Sequence, residues 1–206
     1  MNKIDYNQIF KSELVCVANN QIYKKLKPSL ILHTCCAVCA SGVLWREFSF
    51  ENTKKTLSDF FDITLYFYNP NIDAKHEYLI RANEVQKLLV DNKIANIILA
   101  PHLSEEFSHI NKKDCTSCID LRLSKTAAFA FRDGADYFST TLSVSPHKNS
   151  TAINELGLKI QKTHAIKFMP ADFKKENGFA VAGVIATELE LYRQSYCGCT
   201  RSNQLN

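Results

Sequence analysis

The stretch Ser29-Leu30-Ile31-Leu32-His33-Thr34-Cys35-Cys36-Ala37-Val38-Cys39-Ala40 decides how the chain is read. Ser29 to His33 is a short apolar run, two adjacent cysteines follow at once, and Ala40 to Phe48 is helix-permissive. The pattern predicts a strand, a loop and a helix.

Downstream, the same alternation repeats. Ile63 to Tyr68 (ITLYFY) is β-branched and aromatic without polar alternation, as in a strand covered on both faces, and Asn69-Pro70-Asn71 turns the chain. From Asp73 to Asp91, Tyr78, Ala82, Val85 and Leu89 recur at helical spacing. Asn96 to Ala100 is a strand. Thr116 to Arg132 is a helix with Ile119, Leu123, Ala127 and Ala130 on its apolar face. Asp136 to Thr140 is a strand, Lys148 to Leu156 a helix that Gly157 ends, Ala165 to Phe168 a short strand, and Glu188 to Gln194 part of a closing helix. Such alternation predicts an α/β chain: one parallel sheet with helices on both faces, a Rossmann-like three-layer arrangement. At 206 residues and 46% hydrophobic content, a single domain over 1–206 is the expectation, with 1–28 as an N-terminal extension. Ligands of such sheets sit beyond the carboxyl ends of the strands. Cys35-Cys36, Asn69-Pro70-Asn71 and Thr140-Thr141 all follow strands, so their loops converge on one rim.

Seven of the eight cysteines fall in three groups, Cys35-Cys36-x-x-Cys39, Cys115-x-x-Cys118 and Cys197-Gly198-Cys199. Buried free cysteines behave as small apolar residues and have no reason to cluster, whereas thiolates two or three residues apart converge on one metal or cluster without long loop closure. A disulfide framework belongs to secreted chains. Lys3, Asp5, Lys11 and Glu13 in the first residues, with no long apolar core, do not resemble a signal peptide, and no run is long enough to span a bilayer. The expectation is a cytoplasmic protein with no membrane association. Lys+Arg 25 against Asp+Glu 21 gives a formal charge of +4, compatible with a nucleic-acid partner and ordinary for a soluble enzyme.

Several segments, in order, carry a family resemblance: Leu32-His33-Thr34-Cys35-Cys36-Ala37; Phe67-Tyr68-Asn69-Pro70-Asn71-Ile72; Cys115-x-x-Cys118 with Arg122-Leu123; Thr140-Thr141-Leu142 with Ser145-Pro146; Asp172-Phe173-Lys174-Lys175; and Tyr192-Arg193-Gln194 leading to Tyr196-Cys197-Gly198-Cys199. Together, from about residue 29 to 202, the chain resembles the QueH-type epoxyqueuosine reductases. It departs from them at Ala37-Val38-Cys39-Ala40, where the family usually has Ala-Pro-Cys-Ser, at Ala186-Thr187, where it usually has Ser-Lys, and in extra sequence at Phe50 to Phe61.

The resemblance implies reduction of the epoxide of epoxyqueuosine, carried at the anticodon of a tRNA, to the alkene of queuosine, the last step of queuosine biosynthesis. It implies a 4Fe-4S cluster at the strand rim beside a second redox element, either a mononuclear iron or a thiol pair. Carried onto this chain, Cys35, Cys36, Cys115 and Cys118 are the cluster ligands, with Cys39 a rival for one place. Cys197 and Cys199 are the second iron site or a redox-active pair, and Asp172 is the leading acid. The electron donor is left open.

From their positions, His33 and Asp120 could hydrogen-bond sulfur or water. Arg122, one turn beyond Cys118, could compensate cluster charge or meet a phosphate, against a surface ion pair with Asp120 or Asp114. Lys24, Lys25, Lys27, Lys112, Lys113, Lys174 and Lys175 are the basic candidates for an RNA backbone, and Tyr66, Tyr68 and Tyr196 for stacking on a base. Cys16 is core or surface. The competing readings are a structural zinc protein that interacts with nucleic acid, a CxxC thiol/disulfide oxidoreductase, and an ATP-dependent tRNA-thiolating enzyme. The last lacks support because Thr34-Cys35-Cys36-Ala37 stands where a phosphate loop would be.

Overall fold

A computed structural model describes residues 4–24, 26–90, 95–110 and 115–199. The chain opens with α1 (Tyr6–Lys24), β1 (Ser29–His33) and α2 (Ala37–Leu44), then a hairpin of β2 (Phe48–Phe50) and β3 (Thr53–Lys55) and the single turn α3 (Leu57–Phe60). It continues through β4 (Asp62–Phe67), α4 (Lys75–Val90), β5 (Asn96–Leu99), α5 (Ser104–Ser108), α6 (Cys115–Arg132) and β6 (Tyr137–Thr140). A 3₁₀ turn over Thr141–Val144 leads to α7 (Ser150–His164), β7 (Lys167–Phe168) and α8 (Gly178–Glu188).

Five strands form one parallel sheet in the order β5-β4-β1-β6-β7. The expected α/β architecture is what the chain adopts. Central β1 pairs with β4 on one side and β6 on the other, and successive side chains leave a strand on opposite faces. Leu30 and Leu32 therefore enter a core with Phe10, Ala40, Val85 and Ala182, while Ile31 enters a second core with Leu123, Phe138, Ile153 and Phe168. Both faces of β1 being buried explains its unbroken apolar run. The chain runs outward through β4 and β5, then crosses back to β6 and β7. This places the change of direction, where open α/β sheets bind ligands, beside the carboxyl end of β1.

Three expectations need correction. The helix after β1 starts earlier and stops at Leu44, because Arg46 turns inward, is 3% exposed, and donates to the Phe173 carbonyl at 3.0 Å. Gly157 does not end α7. The helix continues to His164 and is capped by left-handed Ala165; Gly157 is instead where the Phe168 ring abuts, and a Cβ there would lie 2.4 Å from the ring. The segment Glu188 to Gln194 is not a closing helix: α8 ends at Glu188, Glu190 takes a positive φ of 49°, and Glu84 captures the Tyr192 N–H. The residues ahead of β1 carry α1, whose Tyr6, Phe10, Leu14 and Val17 are buried at helical spacing. The extra sequence at Phe50 to Phe61 contains the end of the hairpin and α3. No helix among the described residues is long and apolar enough to cross a membrane.

Candidate metal centre

The carboxyl end of β1 delivers Cys35 in a bend and Cys36 in extended backbone. Cys36 is the N-cap of α2, its sulfur accepting the Cys39 N–H at 3.4 Å. Leaving the strand frees adjacent side chains from pointing to opposite faces, and the first helical turn returns Cys39 to the same place. The three sulfurs of Cys35, Cys36 and Cys39 lie within 4.8 Å of one another, a group able to hold a metal. Cys35 and Cys36 are 3.8 Å apart. Thiol hydrogen bonds from Cys36 and Cys39 hold the Cys35 pKa well below the ordinary range, with Arg122 and His33 assisting against burial. Donating to Cys35 in turn pushes Cys36 up to about 12 and Cys39 well above its usual value. Within the trio, the hydrogen bonds favour the anionic form at Cys35 over the other two.

Arg122 lies under this cluster and is 2% exposed. Its Nη2 donates to Asn69 Oδ1 at 2.6 Å, its Nε to His33 Nε2 at 3.3 Å, and Asn69 Nδ2 donates to the Thr34 carbonyl at 2.9 Å. Burial works against its charge, but the sulfurs of Cys118, Cys35 and Cys197 outweigh burial, so the guanidinium pKa is raised. Burial raises the Cys118 pKa, opposed by Arg122 and Lys148. Arg122 is therefore not a surface ion pair. It is a buried cation facing sulfurs from three chain segments.

The third cysteine group arrives on irregular chain, held from outside. Arg81 donates from Nη1 to the Cys197 carbonyl at 3.2 Å and from Nη2 to the Tyr196 carbonyl at 3.1 Å. Its Nε is 2.7 Å from Glu77 Oε1. Tyr192 closes the arrangement by donating to Glu77, and Asn71 Nδ2 donates to the Cys197 carbonyl at 3.3 Å. Gly198, at φ +108°, packs on Ile72, and a Cβ there would lie 2.7 Å from Ile72 Cγ1. Lys148 Nζ donates to Cys197 Sγ at 3.5 Å. The Cys199 thiol, with Lys148 and Arg122, overcomes burial and lowers the Cys197 pKa to about 6.

Cys35, Cys39, Arg122, Lys148, Tyr196 and Cys197 are among the residues lining one cavity of about 460 Å³ at the sheet rim. The chain thus brings Cys35, Cys36 and Cys39 together and faces them with Cys118 and Cys197 around Arg122. Cys115, in the first turn of α6, is exposed, as is Cys16.

The other predicted residues separate clearly. Asp172 is not on the cavity wall: it accepts from Ser150 Oγ at 2.8 Å and lies 3.9 Å from Lys174, whose Nζ donates to the Lys148 carbonyl at 2.6 Å. His33 is fully buried, with Nδ1 2.8 Å from Thr140 Oγ1. Asp120 is exposed and accepts from Ser124. Tyr68 is buried and donates to Glu106, and Tyr66 stacks on Phe129, leaving Tyr196 as the tyrosine on the cavity wall. Lys27 precedes β1, at the amino end of the strands, and donates to the Ser58 carbonyl. Lys175 is exposed. Lys25, Lys112, Lys113 and Asp114 lie outside the described residues, as does the side chain of Lys24. The reading of the sequence missed Glu77 and Arg81. Their i,i+4 spacing marks an ion pair, but only the fold reveals that it is buried.

The profile of the family described as epoxyqueuosine reductase QueH matches residues 30–204. A protein named epoxyqueuosine reductase QueH from Streptococcus pyogenes serotype M1 is 34% identical over 96% of this chain and 77% of its own length. A namesake from Staphylococcus aureus (strain Mu50) is 33% identical over 96% of this chain and 83% of its own. One from Thermotoga maritima is 30% identical over 84% and 90% respectively.

Proposed function

The chain belongs to the epoxyqueuosine reductase QueH family, an oxidoreductase family, and on that premise we propose that it removes the epoxide oxygen of epoxyqueuosine in tRNA. Two electrons and two protons enter, the two C–O bonds of the epoxide break, an alkene forms and one water leaves. The observation that carries the reading is the gathering of thiols from three distant stretches around one cavity and one buried cation. A single CxxC redox pair needs no such assembly.

The donor set fits an iron-sulfur group, since the sulfurs of Cys35, Cys36 and Cys39 lie together and the buried Arg122 cation faces those of Cys35, Cys118 and Cys197. A 4Fe-4S cluster would be held by Cys35, Cys36 and Cys118, with the fourth place taken by Cys115, as the resemblance implies, or by Cys39, whose sulfur already lies in the trio. Cys197 and Cys199 would hold a second iron or act as a thiol pair. When bound, such a cluster supplies electrons at potentials that no side chain reaches.

The chain's own residues prepare the space. Arg122 keeps several thiolates compatible in a small volume. Lys148 directs an N–H at Cys197 Sγ and is a proton donor on the wall. Asp172 acts through Lys174, which braces the Lys148 backbone. Val38 and Leu142 make the wall partly apolar and limit water.

The test is anaerobic purification with iron, sulfide and zinc analysis, followed by incubation with epoxyqueuosine tRNA and a reductant and nucleoside analysis of the product. Iron with sulfide, queuosine formation, and loss of both in Cys118→Ser are expected. Stoichiometric zinc without colour and unchanged tRNA would overturn the reading.

A further inference from the structure

Arg81, Arg122, His147, Lys148 and Arg193 line the cavity, and among the described residues no carboxylate does. Three of these are engaged within the protein: Arg81 with Glu77 and two carbonyls, Arg122 with Asn69 and His33, and Lys148 with Cys197. The side chains of His147 and Arg193 make no hydrogen bond or ion pair among the described residues, and both are exposed at the opening. Beside them Phe179 leaves 48% of its surface in water. Arg193 Nη2 lies 4.0 Å from where a Cβ on Gly183 would stand, so its guanidinium lies along α8 one turn beyond Phe179.

A nucleotide that enters a pocket base first leaves its flanking phosphates outside, because the backbone cannot follow the base. Unpaired basic groups should then stand at the mouth, while those at depth are occupied by protein groups. An exposed aromatic ring beside them offers a π-face to a neighbouring base. We infer that this mouth is a nucleotide-phosphate site, in which Arg193 and His147 take phosphodiester oxygens flanking the inserted nucleotide and Phe179 stacks on an adjacent base. The inference rests on the RNA substrate proposed above and adds the groups that hold it.

The experiment measures binding of a fluorescently labelled RNA hairpin carrying a tRNA anticodon loop to the anaerobically purified protein across a salt series. Arg193→Gln should weaken binding and reduce the slope of log affinity against log salt by about one. Phe179→Ala should weaken binding roughly 5- to 100-fold with the slope unchanged. Lys162→Gln, an exposed cation near the far end of α7, should leave slope and affinity as in the unaltered chain. An unchanged slope in Arg193→Gln, unchanged affinity in Phe179→Ala, or an equal slope loss in Lys162→Gln would each overturn the inference. If the hairpin results hold but epoxyqueuosine tRNA is not reduced, the reductase reading fails and the phosphate site stands; reduction with an unchanged Arg193→Gln slope fails the site alone.

Discussion

His33 is completely buried and sits beside the Arg122 guanidinium; burial first, and that charge second, lower its pKa to about 3. Its ordinary value is 6.5, so above that pH the ring is neutral in both folded and unfolded chains and contributes nothing to the pH dependence. Between 6.5 and about 3 the unfolded chain binds a proton that the fold refuses, and stability falls as pH falls. At pH 5 the loss relative to pH 8 is about 2 kcal/mol from this group. Denaturant unfolding at the two pH values should show that His33→Asn narrows the difference by about this amount. An unchanged difference would mean that the ring protonates inside the fold. Cys39 and Arg122 belong to the same scale. Spacing put both beside the grouped cysteines, yet burial of an arginine cannot be read from spacing, because most arginines remain in water.

Among the elements, the irregular segment from Tyr192 to Cys199 depends most on its neighbours. It makes no strand or helix, so hydrogen bonds from Arg81, Asn71 and the Asp73 backbone determine where Cys197 stands. A charged donor contributes about 1.5–3 kcal/mol per bond, and removing two should raise opening of the segment by at least about a hundredfold. In the anaerobic protein, Arg81→Gln, which also leaves the buried Glu77 carboxylate without its partner and so lowers the melting temperature, should accelerate alkylation of Cys197 and Cys199 by that factor, as mapped by mass spectrometry, with Cys36 much less accelerated. Tyr192→Phe should give a smaller effect of the same kind. Equal acceleration at every cysteine would show general loosening. The helix expected here failed for a visible reason: capture of Tyr192 by Glu84 and the positive φ at Glu190 involve tertiary partners that local propensity does not contain.

For the molecule as a whole, the centre ties β1 and the start of α2 to α6 and to the irregular chain beyond α8. A metal group bound only by the folded chain stabilises it by mass action, by about 2.7 kcal/mol at a hundredfold excess over Kd. Chelation under anaerobic conditions should therefore lower the melting temperature by roughly 5–10 °C for a chain of this size. The fall should shrink in Cys118→Ser and persist in Cys16→Ser. A fall equal in all three proteins would place the metal elsewhere.

The strand and helix alternation, the three cysteine groups and the place of Cys35-Cys36 on the carboxyl rim were legible in the sequence, because they rest on periodicity, strand ends and local spacing. Those signals come from residues a few positions apart and survive any tertiary arrangement of a parallel sheet. Only the tertiary structure decided that Cys39 joins Cys35 and Cys36, that Arg122 is the buried cation beneath them, that Asp172 stands off the wall, and that Arg81 and Glu77 hold the Cys197 segment. Each depends on burial and on pairs of residues far apart in the chain. Desolvation and long-range hydrogen bonding exist only once the chain has closed on itself.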